Sequence, residues 1–222
     1  MCARFTLTTD ARKLQLRFRI LLQSSENTER YNIAPTQNIL TVIEKDGERR
    51  TEAMRWGLVP FWAKDPSVGQ RMINARSETL GEKPAFRQAF VRRRCLIPAD
   101  GFYEWQKEGS KRLPLRFVLK SGEPFAFAGL WETWKRPDGE WLHTCTIITT
   151  TPNSVLEPIH DRMPVILRPE DEDLWLDPSV SDPSLLRGLL APYPPEEIDA
   201  YQVSTAVNSP KLDIPACVER IA

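Results

Sequence analysis

The sequence predicts an α+β protein, a single domain over residues 2–222 built on a curved, barrel-like, largely antiparallel sheet with short flanking helices. Three observations carry that expectation. Strand-like segments outnumber helical ones, the joins between them are mostly short, and no repeat, linker or low-complexity stretch divides the 222 residues. A chain of this size removes roughly 70 % of its unfolded surface from water, enough for a sizeable core.

Thr9-Asp10 offers a helix start, after which Leu14, Phe18, Leu21 and Leu22 fall on one helical face. Residues 39–43 and 54–59 read as strands. Residues 84–91 read as a short helix with proline in its first turn, followed by Arg92-Arg93-Arg94. The middle is rich in aromatic and β-branched residues, and 95–97, 113–119, 124–131 and 141–150 are expected as strands. Within 113–119, Leu115, Phe117 and Leu119 alternate with Arg116 and Val118, the pattern of a half-buried strand. Asp138-Gly139 marks a hairpin turn. A short helix at 154–159, a strand at 164–167, helices at 170–176 and 183–190 and a last strand at 201–204 complete the expected order.

No run of 18 apolar residues exists, so no membrane span is expected, and the N-terminus lacks the apolar segment of a secretion signal. The four cysteines (Cys2, Cys95, Cys145, Cys217) form no CxxC pair, so neither a zinc site nor a disulfide framework is indicated; no metal or other cofactor is expected. Cys95 and Cys145 lie in apolar runs and read as buried thiols in a reducing, cytoplasmic setting. The zero net charge hides an asymmetry. Residues 1–120 carry 23 Lys+Arg against 13 Asp+Glu, and residues 121–222 carry 7 against 17. Either the first half builds a positive face for an anionic partner, or the halves neutralise each other.

The chemistry is concentrated in four polar islands. The first is Cys2-Ala3-Arg4-Phe5. Removal of Met1 would leave Cys2 with an amine and a thiol on adjacent carbons, a pair that condenses with an aldehyde to an imine and then a five-membered thiazolidine. An α-amine titrates near 7.7–8.0, against about 10.4 for lysine, so a useful fraction is neutral at pH 7. The second island runs from Met72 through Asn74, Arg76 and Glu78 to Thr79. On a strand Asn74 and Arg76 face one side; the Arg76 fork could grip a phosphate or pair with Glu78. The third runs from Pro98 to Trp105. Glu104, between Tyr103 and Trp105, either lies against the rings with a raised pKa suited to a general acid, or points outward by strand alternation. The fourth runs from Ile159 to Pro164 and holds His160, either a proton carrier or a structural histidine; His143 reads as structural. Phe61-Trp62-Ala63-Lys64 sets aromatics beside a cation, as on surfaces that stack single-stranded bases, although core packing is the alternative for tryptophan.

Together these islands resemble the SRAP family (SOS response-associated peptidase domain). The matching segments are Cys2 to Phe5, Asn74 to Glu78, Ala99 to Trp105 and His160 to Pro164. They are joined by Arg30 to Pro35 and Trp56 to Pro60, so the resemblance spans roughly residues 2–210. It implies a protein that shields abasic sites in single-stranded DNA by crosslinking to the open-chain sugar aldehyde, in the cytoplasm and, in a bacterium, at the nucleoid. Carried over, Cys2 is the nucleophile, Glu104 shuttles protons, Asn74 orients the amine or sugar, and His160 assists proton transfer and reversal. Arg4 and Arg76 hold the flanking phosphates, with Trp62 and Pro35 on the DNA-binding surface. Ala3 replaces the family's usual glycine, and its methyl is expected to crowd the DNA or restrict the Cys2 backbone, slowing the reaction. A cysteine peptidase using Cys2, His160 and Glu104 or Asn74 is the alternative chemistry. A non-covalent reader of single-stranded or modified DNA is the alternative without chemistry.

Overall fold

The computed structural model describes residues 2–22 and 29–221; Met1, whose removal the Cys2 chemistry needs, lies outside them, as does Ala222. The elements run β1 (Phe5–Leu7), α1 (Ala11–Phe18), β2 (Arg30–Ile33), β3 (Asn38–Lys45), β4 (Glu48–Trp56), β5 (Asn74–Arg76), α2 (Arg87–Arg92), β6 (Arg94–Ala99), β7 (Gly101–Glu108) and β8 (Lys111–Leu119). They continue with β9 (Phe125–Lys135), β10 (Trp141–Thr150), β11 (Met163–Pro164), β12 (Ile166–Leu167), α3 (Glu172–Leu176), α4 (Pro183–Gly188) and β13 (Ile198–Gln202).

Strands β10, β4, β3, β6 and β9 follow one another, and β9 pairs back with β10 to close a five-stranded barrel. Most of its joins are antiparallel; β10 runs parallel to β4, with Cys145 opposite Trp56, and parallel to β5. A second, antiparallel sheet has the order β13-β8-β7-β1-β2. Only Asp100 separates β6 from β7, so the chain passes from barrel to side sheet there. Phe5 of β1 inserts between the two layers, edge-on to Trp56 at 5.3 Å and to Phe127 at 5.7 Å. Every residue of β6 is buried, because the barrel interior covers one face and α2 with α3 the other.

Several expectations need correction. Asp10 does cap α1, accepting from the Lys13 amide at 3.0 Å. The helix stops at Phe18 because Arg19 adopts a left-handed conformation (φ 53°), and Leu21 is left exposed while Leu22 packs on the core. Residues 154–159 form successive turns, not a helix. The Asn153 side chain accepts from the amides of Val155 and Leu156, and Pro158 has no N–H to extend a ladder. The 54–59 strand ends at Trp56: Gly57 takes φ 126°, and a methyl there would stand 2.6 Å from the Gly69 carbonyl oxygen, so the two glycines let the 58–72 loop fold back on the barrel. The last strand begins earlier, at Ile198. Arg116 is buried rather than outward, because Asp100 and Tyr201 receive its guanidinium.

The charge asymmetry is partly spent within the fold. Arg17 and Arg49 of the first half hold buried Glu172, Arg19 and Arg49 hold Asp173, and Arg93 holds Glu132. Among the described residues no helix is long and apolar enough to cross a membrane.

Candidate functional site

Cys2 is placed by strand register. In the β1–β7 pair Phe5 stands opposite Phe102 and Thr6 opposite Gly101. The Tyr103 amide continues the ladder by donating to the Arg4 carbonyl at 3.0 Å. The chain before β1 thus runs toward the Glu104 end of β7, and Cys2 packs in the main core, where its thiol feels the Glu104 charge. Cys2 is buried, with its thiol 3.8 Å from the Arg4 carbonyl oxygen. From the barrel side β5, laid parallel to β10 with Asn74 opposite Ile147, delivers Asn74, whose Nδ2 donates to the Cys2 carbonyl at 2.9 Å. The Asn74 Oδ1 is buried with no hydrogen-bond partner among the described residues. Ala75 points the other way, into the core.

Glu104 is buried, so it does not point out to solvent; Tyr103 and Trp105 pack into a separate cluster on the opposite face of β7, so neither sequence alternative is realised as stated. Burial lifts its pKa above the ordinary carboxylate range, while the nearby His160 charge pulls it down. The Cys2 thiol is pushed up as well, by burial first and then by the Glu104 charge. Cys2, Glu104 and His160 thus share one electrostatic neighbourhood.

His160 ends the run of turns. Its Nδ1 accepts from the Arg162 amide at 3.1 Å and lies 2.8 Å from Asp161 Oδ1, so the loop's own groups orient the ring. Arg162 is buried. Its two terminal nitrogens donate to the two Glu78 oxygens at 2.5 and 2.9 Å, and Nη2 also reaches the Thr149 carbonyl at 2.6 Å. This fork ties the second island to the fourth. It also takes up Glu78, so the internal salt bridge of Arg76 to Glu78 is not formed and Arg76 is exposed.

The proposed DNA-contacting residues divide. Trp62 is 53 % exposed, beside exposed Phe61, and lines an open cleft with Lys64, Gln70 and Arg71. Pro35 is half-buried at the turn leading into β3. Arg4 is half-buried; its Nη1 donates to Asn32 Oδ1 and the Val207 carbonyl, both at 2.7 Å, and its guanidinium lies over the Trp105 ring. Much of the Arg4 donor capacity is therefore used inside the protein. His143 lies on β10 near Glu52, in the barrel wall. Positive φ among described non-glycine residues is confined to Arg19, Thr36 and Asp46, so the backbone at Ala3 demands no glycine. Two groups at the site were not singled out in the sequence, Asp100 and the Glu78–Arg162 fork, although both stand inside the polar islands. Among the described residues no cluster of three or more His, Cys, Asp or Glu is arranged to hold a metal ion.

A closed mixed barrel with an antiparallel side sheet, whose N-terminal segment sets a buried cysteine at the second position near a buried glutamate and an asparagine, defines the class of protein to which comparisons with known proteins point. The chain belongs to the SOS response associated peptidase (SRAP) family, whose model matches residues 1–210. It is 52 % identical over 222 residues to the abasic site processing protein YoqW of Bacillus subtilis, covering 99 % of each chain. It is 32 % identical to the abasic site processing protein HMCES of Xenopus tropicalis, over 90 % of this chain and 67 % of the relative. A crystal structure of a protein from Bacteroides thetaiotaomicron superposes with a TM-score of 0.91 at 30 % identity, covering all of both chains.

Proposed function

We propose that this protein processes abasic sites in single-stranded DNA by forming a covalent thiazolidine between Cys2 and the open-chain sugar. The observation that carries the proposal is the grip of Asn74 on the Cys2 backbone beside buried Glu104, in a chain half identical to a protein named for abasic site processing. With Met1 removed, the Cys2 amine adds to the C1′ aldehyde to give a carbinolamine. The Glu104 carboxyl donates a proton to the departing hydroxyl and its carboxylate takes one back from the nitrogen, so water and an imine result. The thiol sulfur then adds to the imine carbon, its proton passing to the nitrogen, and the ring closes with one water lost overall. His160 opens the sugar and carries the proton for reversal. Trp62 and Pro35 contact the strand and Arg76 holds a phosphate, while Arg4, its fork engaged by Asn32 and Val207, adds positive charge nearby, in a cytoplasmic, nucleoid-associated setting.

A thiol pushed up by burial works against a peptidase that attacks through a resting thiolate. Intact mass after mixing with abasic single-stranded DNA tests the proposal. A covalent adduct one water lighter than the sum of the components supports it. Cleaved protein or peptide would instead support the peptidase, and retained binding without mass change a non-covalent reader.

A further inference from the structure

We propose, on the reading that Cys2 is the crosslinking nucleophile, that Asp100 is a positioning residue that sets where Cys2 stands against Glu104. The need for such a residue follows from how little backbone pairing holds β1. Its ladder with β7 has two residue pairs, and its pairing with β2 shifts register between Phe5 and Leu7. A slip of two residues would keep every side chain on its own face yet move Cys2 by about 7 Å along β7.

Asp100 removes that freedom. Its Oδ1 accepts from the Thr6 hydroxyl at 2.6 Å and from Arg116 Nη2 at 3.1 Å. Its Oδ2 accepts from the Thr8 and Thr9 amides and from both threonine hydroxyls, each hydroxyl at 2.9 Å. The Asp100 amide donates back to the Thr6 carbonyl at 3.0 Å. One side chain thus holds three residues of the N-terminal segment at the point where the chain passes from barrel to side sheet. The neighbouring glycine serves the same knot: a methyl on Gly101 would stand 2.7 Å from Arg116 Nε and 2.9 Å from the Thr6 hydroxyl. Asp100 reaches Cys2 through the N-terminal segment, with Arg116 of β8 anchoring the carboxylate, and Thr6, the nearest residue it holds, lies four residues of chain from Cys2.

The test combines single-turnover crosslinking at saturating abasic single-stranded DNA with alkylation of Cys2 by iodoacetamide without DNA, located by peptide mass. Buried Cys95, Cys145 and Cys217 serve as internal references for the fold. Asp100→Asn and the milder Thr6→Val are expected to cut the rate constant roughly 10- to 100-fold, the usual result of misplacing a reacting group by an ångström or so. Full adduct amplitude and an unchanged half-saturating DNA concentration should accompany the loss. Cys2, but not the other three, should alkylate faster, and Thr6→Ser should behave as wild type. A lower amplitude with an unchanged rate constant would mean only that fewer molecules fold, and would overturn the proposal. Unchanged Cys2 alkylation in both Asp100→Asn and Thr6→Val would overturn it too. A wild type that forms no adduct would defeat the crosslinking reading, and the alkylation rates would still decide the case for Asp100.

Discussion

Asn74 donates its side-chain amide to the carbonyl oxygen of Cys2 at 2.9 Å, across 72 residues of sequence. The contact joins the barrel, through β5 on β10, to the first strand of the side sheet. Through it Asn74 holds the backbone of Cys2.

Replacing Asn74 tests that contact by sign as well as by loss. Asn74→Ala removes one hydrogen bond and should slow adduct formation about five- to tenfold, the net worth of such a bond. Asn74→Asp sets an oxygen against the Cys2 carbonyl and should slow it further, while non-covalent affinity for single strands stays the same in both. A time course of adduct formation checks the order. Equal rates for Asn74→Asp and wild type would leave the contact without a role.

Glu104 is expected to trade stability for chemistry. Burial raises its pKa, so the folded chain keeps a proton that the unfolded chain has released. The stability tied to this group is present below about pH 4.3, the ordinary glutamate value. It is lost as pH climbs through the raised value. Glu104→Gln carries no such cost and should melt above wild type at pH 7–8 and level with it below about pH 4. The same variant should crosslink roughly 10²-fold more slowly, having lost proton transfer. His160→Ala should slow formation and, more severely, release during a chase with unlabelled abasic DNA. Melting curves across pH and the two time courses separate these outcomes.

The fold class was readable because alternation and turn residues mark the strands locally. The β9–β10 hairpin has its local mark in Asp138-Gly139, whereas the parallel seam of β10 with β4, which completes the barrel, joins segments far apart in sequence and leaves none. Arg116 shows the limit most plainly. Alternation with Leu115 and Phe117 assigned it to an outer face, and only the approach of Asp100 and Tyr201 buries it. The polar islands drew attention to Cys2, Asn74, Glu104 and His160 by residue type. That Arg162 rather than Arg76 takes Glu78 depends on the fourth island folding against the second, which spacing alone does not reveal.

DNA affinity is expected to depend on salt and on Arg76 and Trp62 more than on base sequence. Arg76 and Trp62 are exposed, whereas the Arg4 fork is engaged by Asn32 and Val207. Each neutralised phosphate of a single strand adds about −0.7 to the log–log salt slope. Arg76→Ala should make the slope shallower by about that amount; Trp62→Ala should weaken binding by about 1–3 kcal/mol with the slope unchanged, since stacking releases no counterions. Anisotropy titrations at several salt concentrations read both, and a slope unmoved by Arg76→Ala would remove it from the phosphate track.

Arg94 is expected to be the most sensitive position for stability away from the site. Its buried guanidinium makes no ion pair among the described residues and donates to five main-chain carbonyls. Those of Phe90 and Val91 belong to the last turn of α2, that of Trp175 to α3, and those of Asp177 and Val180 to the loop beyond α3. Helix ends leave such acceptors without intrahelical partners, and buried ones need donors. Lysine keeps the charge but has three donors on one atom and cannot reach five acceptors spread around a plane. Arg94→Lys should therefore cost about 3 kcal/mol or more, since at least two buried carbonyls lose their partners. Arg94→Met should cost as much, because it satisfies none of them. Urea denaturation measures both; a loss under about 1 kcal/mol for Arg94→Lys would mean that water replaces the guanidinium at these carbonyls. Because α2 and α3 together cover β6, the same variants should speed amide exchange in β6 before they affect the Cys2 edge of the molecule.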